Sequence, residues 1–292
     1  MQELSTEGRA PEHADLDRRP TVDVVHAVVR GHNEVVAAVD IAAPAIAALA
    51  DVTAERMDAG GRVIYVGAGS GGRLALVDAA EWGPTFSEDG VFALVAGARL
   101  PPGSVEEAAA EDDAEAGAAE LRALRPTGGD VVIGVTASGR TPYVLGALAA
   151  AEAAGALTAV ITSALAPRTH FLIEVPVGPE VISGSTRLKA GTAQKLVLNA
   201  FSTAVMVRRG RTVGNLMASL RVANDKLRQR AVRVCVAATG RPEPEAREAL
   251  AAAGDDVSVA ILMLARGLDA QGARARLEAC GGAIGRALPD WS

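Results

Sequence analysis

The run Val63-Ile64-Tyr65-Val66-Gly67-Ala68-Gly69-Ser70-Gly71-Gly72-Arg73 joins four apolar residues to a turn in which four of seven residues are glycine. An apolar run that stops at such a turn reads as a buried strand. Residues 73–82 then carry helical spacing, with an end expected at Gly83-Pro84. Strand, glycine turn and helix in that order bring backbone N–H groups together at a helix N-terminus, where an anion is stabilised.

The alternation continues along the chain. Residues 91–95 read as a second strand, 104–124 as one strongly acidic amphipathic helix, and 131–136 as a third strand. Residues 142–154 read as a helix opened by Pro142, and 157–162 and 171–175 as two more strands. Strands alternating with helices imply the α/β class, a doubly wound and mostly parallel sheet that holds ligands at the carboxyl ends of its strands. Before it, residues 21–39 and 43–57 have helical spacing and end at Gly60-Gly61. After it, helices are expected over 186–208 and 216–237, and beyond Gly240-Arg241-Pro242 over 243–253, 257–266 and 270–279. The expected organisation is an N-terminal helical segment, 1–60, packing on a main domain, 61–238, followed by a small helical module, 239–292.

Composition narrows the function. The 292 residues are 49% hydrophobic, enough for a sizeable core and too apolar for a disordered chain. A net charge of −6 argues against nucleic acid or an anionic membrane as the main partner, since both need a dense basic face. Residues 1–20 alternate charges without the apolar centre of a signal peptide, and stretches such as 41–50 are too short to cross a bilayer. The expectation is a cytoplasmic protein with no membrane span. Cys235 and Cys280, with His13, His26, His32 and His170, show no ligand spacing, so no metal is expected.

Three loops favour an anion. The first, around Gly69, Ser70 and Gly71, also fits the dinucleotide fingerprint through Gly67, Gly69 and Gly72. An acidic ribose reader would then stand near the end of the next strand, where Gly97-Ala98-Arg99 occurs instead, which argues against a nicotinamide or flavin cofactor. The second loop, Thr136-Ala137-Ser138-Gly139-Arg140-Thr141-Pro142, places Thr141 as N-cap and adds the hydroxyls of Thr136 and Ser138. In the third, Ser183-Gly184-Ser185-Thr186-Arg187-Leu188-Lys189, a lysine in the first helical turn opposes the helix dipole, a conflict that a bound anion removes. The expected phosphate ligands are Gly69, Ser70, Gly71, Ser138, Gly139, Thr141, Ser183, Ser185, Thr186 and Lys189.

Together these loops resemble the sugar isomerase domain family, whose fold binds phosphosugars at the strand ends. Residues 67–86, 136–144 and 180–203, with Asn215-Leu216-Met217 and Asn224-Asp225-Lys226-Leu227, resemble the N-acetylmuramic acid 6-phosphate etherases within it. The opening, Thr6-Glu7-Gly8-Arg9 and Asp15-Leu16-Asp17, is similar too, and the tail resembles that family's small ubiquitin-associated-like module. The most specific run is Gly184-Ser185-Thr186-Arg187-Leu188-Lys189-Ala190-Gly191-Thr192-Ala193-Gln194-Lys195. The chain departs from the family pattern at Ser70-Gly71, where a Thr-Ser pair is usual, and at Trp82-Gly83-Pro84, where Cys-Pro-Pro is usual.

The resemblance implies a cofactor-free, homodimeric lyase acting on a small phosphosugar. It cuts the D-lactyl ether by proton removal at C2, elimination and water addition. It assigns Glu81, in Asp78-Ala79-Ala80-Glu81, as the acid and Glu111, in Ala110-Glu111-Asp112, as the base. Apart from the resemblance, Glu81 ends a mostly apolar helix, where apolar surroundings are expected to raise its pKa. Glu111 shares its helix with six other acids and reads as part of a solvated face. Two further readings use the same loops: a non-catalytic phosphosugar sensor similar to the glucokinase regulatory protein, and an isomerase or lyase for a related phosphosugar. The presence of both glutamates favours the etherase.

Overall fold

Long β-branched runs pack best with both faces covered, and the chain buries them that way. The structure, a computed structural model, describes residues 7–101, 103–164 and 168–288. Five strands form one parallel sheet: β1 Val63–Gly67, β2 Val91–Val95, β3 Val131–Val135, β4 Leu157–Thr162 and β5 Phe171–Glu174. Their order is β2-β1-β3-β4-β5, with Val63 paired to Val91 on one side and to Val131 on the other. The three central strands are buried along their whole length, whereas the edge strands β2 and β5 are only partly covered. In this order the chain reverses direction between β1 and β3, the position where open α/β sheets form a ligand crevice.

In chain order the helices are α1 Thr21–Gly31, α2 Asn33–Asp58, α3 Gly69–Phe86, α4 Val105–Ala109, α5 Ala114–Ala123, α6 Pro142–Ala153 and α7 Lys189–Arg208. They are followed by α8 Asp225–Thr239, α9 Glu243–Ala252, α10 Val257–Arg266, α11 Ala270–Ala279 and α12 Ile284–Ala287. The chain forms two compact units, one of Met1–Ala79 with Gly90–Ser202 and the other of Ala80–Asp89 with Thr203–Ser292. Helices α3 and α7 each begin in the first unit and end in the second.

In the first unit, Asp130 ties the starts of β1 and β3 together. Its carboxylate accepts from the Arg62 backbone at 2.9 Å, from the Arg62 guanidinium at 2.7 Å and from Thr127 N–H at 2.9 Å. Burial pushes the Asp130 pKa up, but these hydrogen bonds outweigh burial and hold it below its ordinary 3.8. In the second unit, Ala231, Val232 and Cys235 of α8 share a core with Leu250, Ile261 and Leu262 of the tail helices. A boundary at residue 238 cuts through this core.

Four helical expectations are corrected. Helix α3 continues through Gly83-Pro84: proline removes one backbone donor, yet Ser87 N–H still reaches Gly83 O at 2.9 Å, and the last turn is anchored by buried Trp82 and Phe86. The acidic stretch is not one helix, because Asp113 is extended (φ −91°, ψ 90°) and its carboxylate caps the Ala116 N–H, ending α4 and a following 3-10 turn and starting α5. Helix α7 starts at Lys189, three residues late, since 185–188 form a turn closed by Leu188 N–H to Ser185 O. Helix α8 starts at Asp225, where the Asn224 side chain accepts from Leu227 N–H.

The helical stretch Thr21–Asp58 contains an 18-residue window of mean hydropathy 2.0, so by length and composition alone it could cross a membrane, contrary to the expectation from sequence. A third of that window (33%) is nevertheless buried inside the protein, and Val35, Val39, Ile46 and Leu49 of α2 lie in the core.

Candidate active site

Two loops leave the sheet where it changes direction, one after β1 and one after β3, and between them lies a cleft of about 170 Å³. The first helical hydrogen bond of α3 runs from Gly72 N–H to Ala68 O, so the N–H groups of Gly69, Ser70 and Gly71 lie ahead of the helical ladder at the positive end of the dipole. Ala68, Gly69, Ser70 and Gly71 all line the cleft. Gly69 has φ +51°, and a Cβ there would stand 2.8 Å from Glu111 Oε1, so the backbone and the carboxylate approach closely only because a glycine occupies this position.

Thr136, Ala137, Ser138 and Thr141 line the opposite side. Thr141 is the N-cap residue of α6 by position but does not cap through its hydroxyl. Its Oγ1 instead pairs with Thr136 Oγ1 at 2.7 Å, and Ser138 Oγ accepts from Arg140 N–H at 3.1 Å. Three hydroxyls are thereby turned toward one another around the cleft rather than into the helix.

The third loop contributes Gly184 and Thr186. Lys189, Ser183, Ser185 and Gly139, expected as phosphate ligands, are not among the residues lining the cleft. The first-turn conflict at Lys189 is resolved inside the protein: fully buried Glu180 caps α7, accepting from Lys189 N–H at 2.9 Å and Ala190 N–H at 3.0 Å, while Lys189 Nζ lies 3.8 Å from Glu34. The Ser183 hydroxyl donates to the carbonyls of Glu7 and Gly8 and so holds the N-terminal segment against this loop.

Glu111 is half-buried and lines the cleft, contrary to the solvated face expected for it. The helix break at Asp113 places it in a 3-10 turn facing the α3 N-terminus. Burial lifts its carboxyl above the ordinary 4.5, the charges of Asp112 and Glu107 push the same way, and Arg73 opposes them. Arg73 is itself engaged by Glu107 at 2.6 Å. Glu81 stands differently: it is exposed, next to buried Trp82, in the part of α3 that belongs to the second unit, and it is not among the cleft-lining residues. The expectation of apolar surroundings for Glu81 is therefore not met, because one step along a helix turns a side chain by about 100° and Trp82 takes the inward direction.

Sequence reasoning missed two cleft residues, Glu7 and Gln194. Among the described residues no lysine or arginine lines the cleft, and its polar lining consists of hydroxyls, glycine N–H groups, the Gln194 amide and the carboxylates of Glu7 and Glu111. A larger cavity of about 930 Å³ opens beside α1, bordered by Arg9, Leu16, Val24 and Val181.

Comparisons with known proteins agree with this geometry. The glucokinase regulatory protein N-terminal SIS domain family matches residues 44–152. A phosphoheptose isomerase from Francisella tularensis shares the fold, with a TM-score of 0.50 and 17% identity over 64% of this chain and 98% of that one. An N-acetylmuramic acid 6-phosphate etherase from Cutibacterium acnes is 46% identical over 96% of this chain and 94% of its own length. Another, from Rubrobacter xylanophilus, is 48% identical over 95% and 94%. Likeness at that level across nearly the whole length carries both the sheet and its loops, and the chain belongs to the N-acetylmuramic acid 6-phosphate etherase family.

Proposed function

We propose that this protein is a carbon–oxygen lyase that converts N-acetylmuramic acid 6-phosphate to N-acetylglucosamine 6-phosphate and D-lactate. The observation that carries the reading is the pairing of family membership with a cleft that sets a half-buried carboxylate beside neutral anion donors. Ser70, Ser138, Thr141 and Thr186, with the N–H groups of Gly69 and Gly71, hold the phosphate. In the open-chain sugar the aldehyde acidifies the C2 hydrogen. Glu111 takes that proton, and the C–H electron pair forms a C1–C2 double bond as charge passes to O1. The enolate then collapses, the C3–oxygen bond breaks, and the departing oxygen takes the proton that lactate carries away, a role that likeness to the family gives to Glu81 although it lies outside the cleft lining. Water adds at C3 of the resulting unsaturated aldehyde and restores the hydroxyl.

The test is direct. Purified protein is mixed with N-acetylmuramic acid 6-phosphate, and D-lactate is measured with a stereospecific dehydrogenase. Stoichiometric D-lactate is expected, and none at high enzyme concentration overturns the reading in favour of a sensor.

The proposed setting is the cytoplasm, where their charge retains phosphorylated sugars, and the proposed state is a homodimer. Val22, Val25 and Val29 form a stripe along α1 that is 58%, 53% and 60% exposed, an apolar face suited to a second copy. Light scattering at micromolar concentration is expected to show a dimer, with Val25→Asp shifting it toward the monomer. A wild-type mass near 29.7 kDa, that of one chain, overturns the dimer.

A further inference from the structure

Gln194 is a polar residue in the second turn of α7, and it is 3% exposed. Its carboxamide lines the cleft, Oε1 lying 3.2 Å from where a Cβ on Gly71 would be, and its Nε2 finds no hydrogen-bond acceptor among the described residues. A buried amide donor left without an acceptor is unfavourable, and native proteins retain few such groups. The terminal torsion of glutamine is soft and nearly two-fold, so the amide can turn its N–H toward the cleft at little cost. Glu111 approaches the same turn at Gly69, two residues away from the Gly71 that Gln194 approaches. A carboxylate and an unmet amide donor thus face one glycine turn at the cleft.

We propose that Gln194 is a catalytic residue whose side-chain N–H donates to O1 of the open-chain sugar as negative charge accumulates there. The inference rests on the proposed lyase function and adds the group that receives the charge. When Glu111 removes the C2 proton, the electron pair ends on O1, and a neutral buried donor stabilises that oxyanion without protonating it.

The test uses Gln194→Met, which keeps volume and removes the donor, and Gln194→Glu, which keeps shape and replaces the amide by an acceptor. In each folded variant, C2 deuterium exchange and D-lactate release are expected to fall together by roughly a hundredfold in kcat, with KM changed little. Near wild-type exchange in either folded variant overturns the proposal. A raised KM with unchanged kcat also overturns it, because it shows a role in ground-state binding. If Gln194→Met does not fold, Gln194→Glu decides. Wild-type protein that releases no D-lactate contradicts the lyase reading instead, so the two failures are distinguishable.

Discussion

Glu111→Gln is expected to lose C2 deuterium exchange and D-lactate release together, each by roughly a thousandfold. Both observables pass through the same proton transfer, so removing the base leaves neither. The half-burial and raised pKa of Glu111 sharpen the expectation. A base works deprotonated, so a pKa above the ordinary 4.5 moves the acid limb of kcat/KM to higher pH than a solvated glutamate gives, and activity falls as pH drops through that limb. The same shift has a sign for stability. With the folded pKa above the unfolded one, this group's contribution is fully present below the unfolded pKa and is lost as pH rises through the folded pKa. Near neutral pH the ionised carboxylate is thus a burden on the fold, and Glu111→Gln is expected to melt no lower than wild type there. Inactivity in a variant of undiminished stability assigns the loss to chemistry. Retained exchange at the wild-type rate removes Glu111 from the role of base.

How much of this was legible in the sequence depends on the range of the interaction that decides each feature. The five strands and the crevice were legible because runs such as 63–67 and 131–135 are apolar throughout and end in turns whose composition is itself a signal. The Ser70, Ser138, Thr141 and Thr186 hydroxyls follow from the same reading, since each sits a few residues past a strand or before a helix. The break that orients Glu111 was hidden: residues 104–124 keep an acidic helical pattern, and the competing choice, Asp113 capping Ala116, stabilises either description until tertiary packing selects one. Lys189 misled because the anion that offsets it is Glu180, nine residues back and fully buried, which no local pattern marks as a cap. Gln194 had no signal of its own, lying on a helix whose neighbours read as core. Only the specific run from Gly184 to Lys195 enclosed it.

Glu81→Gln is expected to separate the two halves of the reaction. Departure of the C3 oxygen needs a proton donor, and amide replacement removes it, so D-lactate release falls by roughly a thousandfold. Exchange at C2 needs only the base, so recovered substrate still gains deuterium in heavy water at near the wild-type rate. Glu81 is exposed, and circular dichroism of the variant checks that the fold is intact. Mass spectrometry of substrate recovered from the two glutamate variants, run side by side, reads both steps at once. Exchange lost in Glu81→Gln and kept in Glu111→Gln reverses the roles. Lactate release unchanged in Glu81→Gln removes it from the reaction and leaves the proton for lactate to come from water or from the conjugate acid of Glu111.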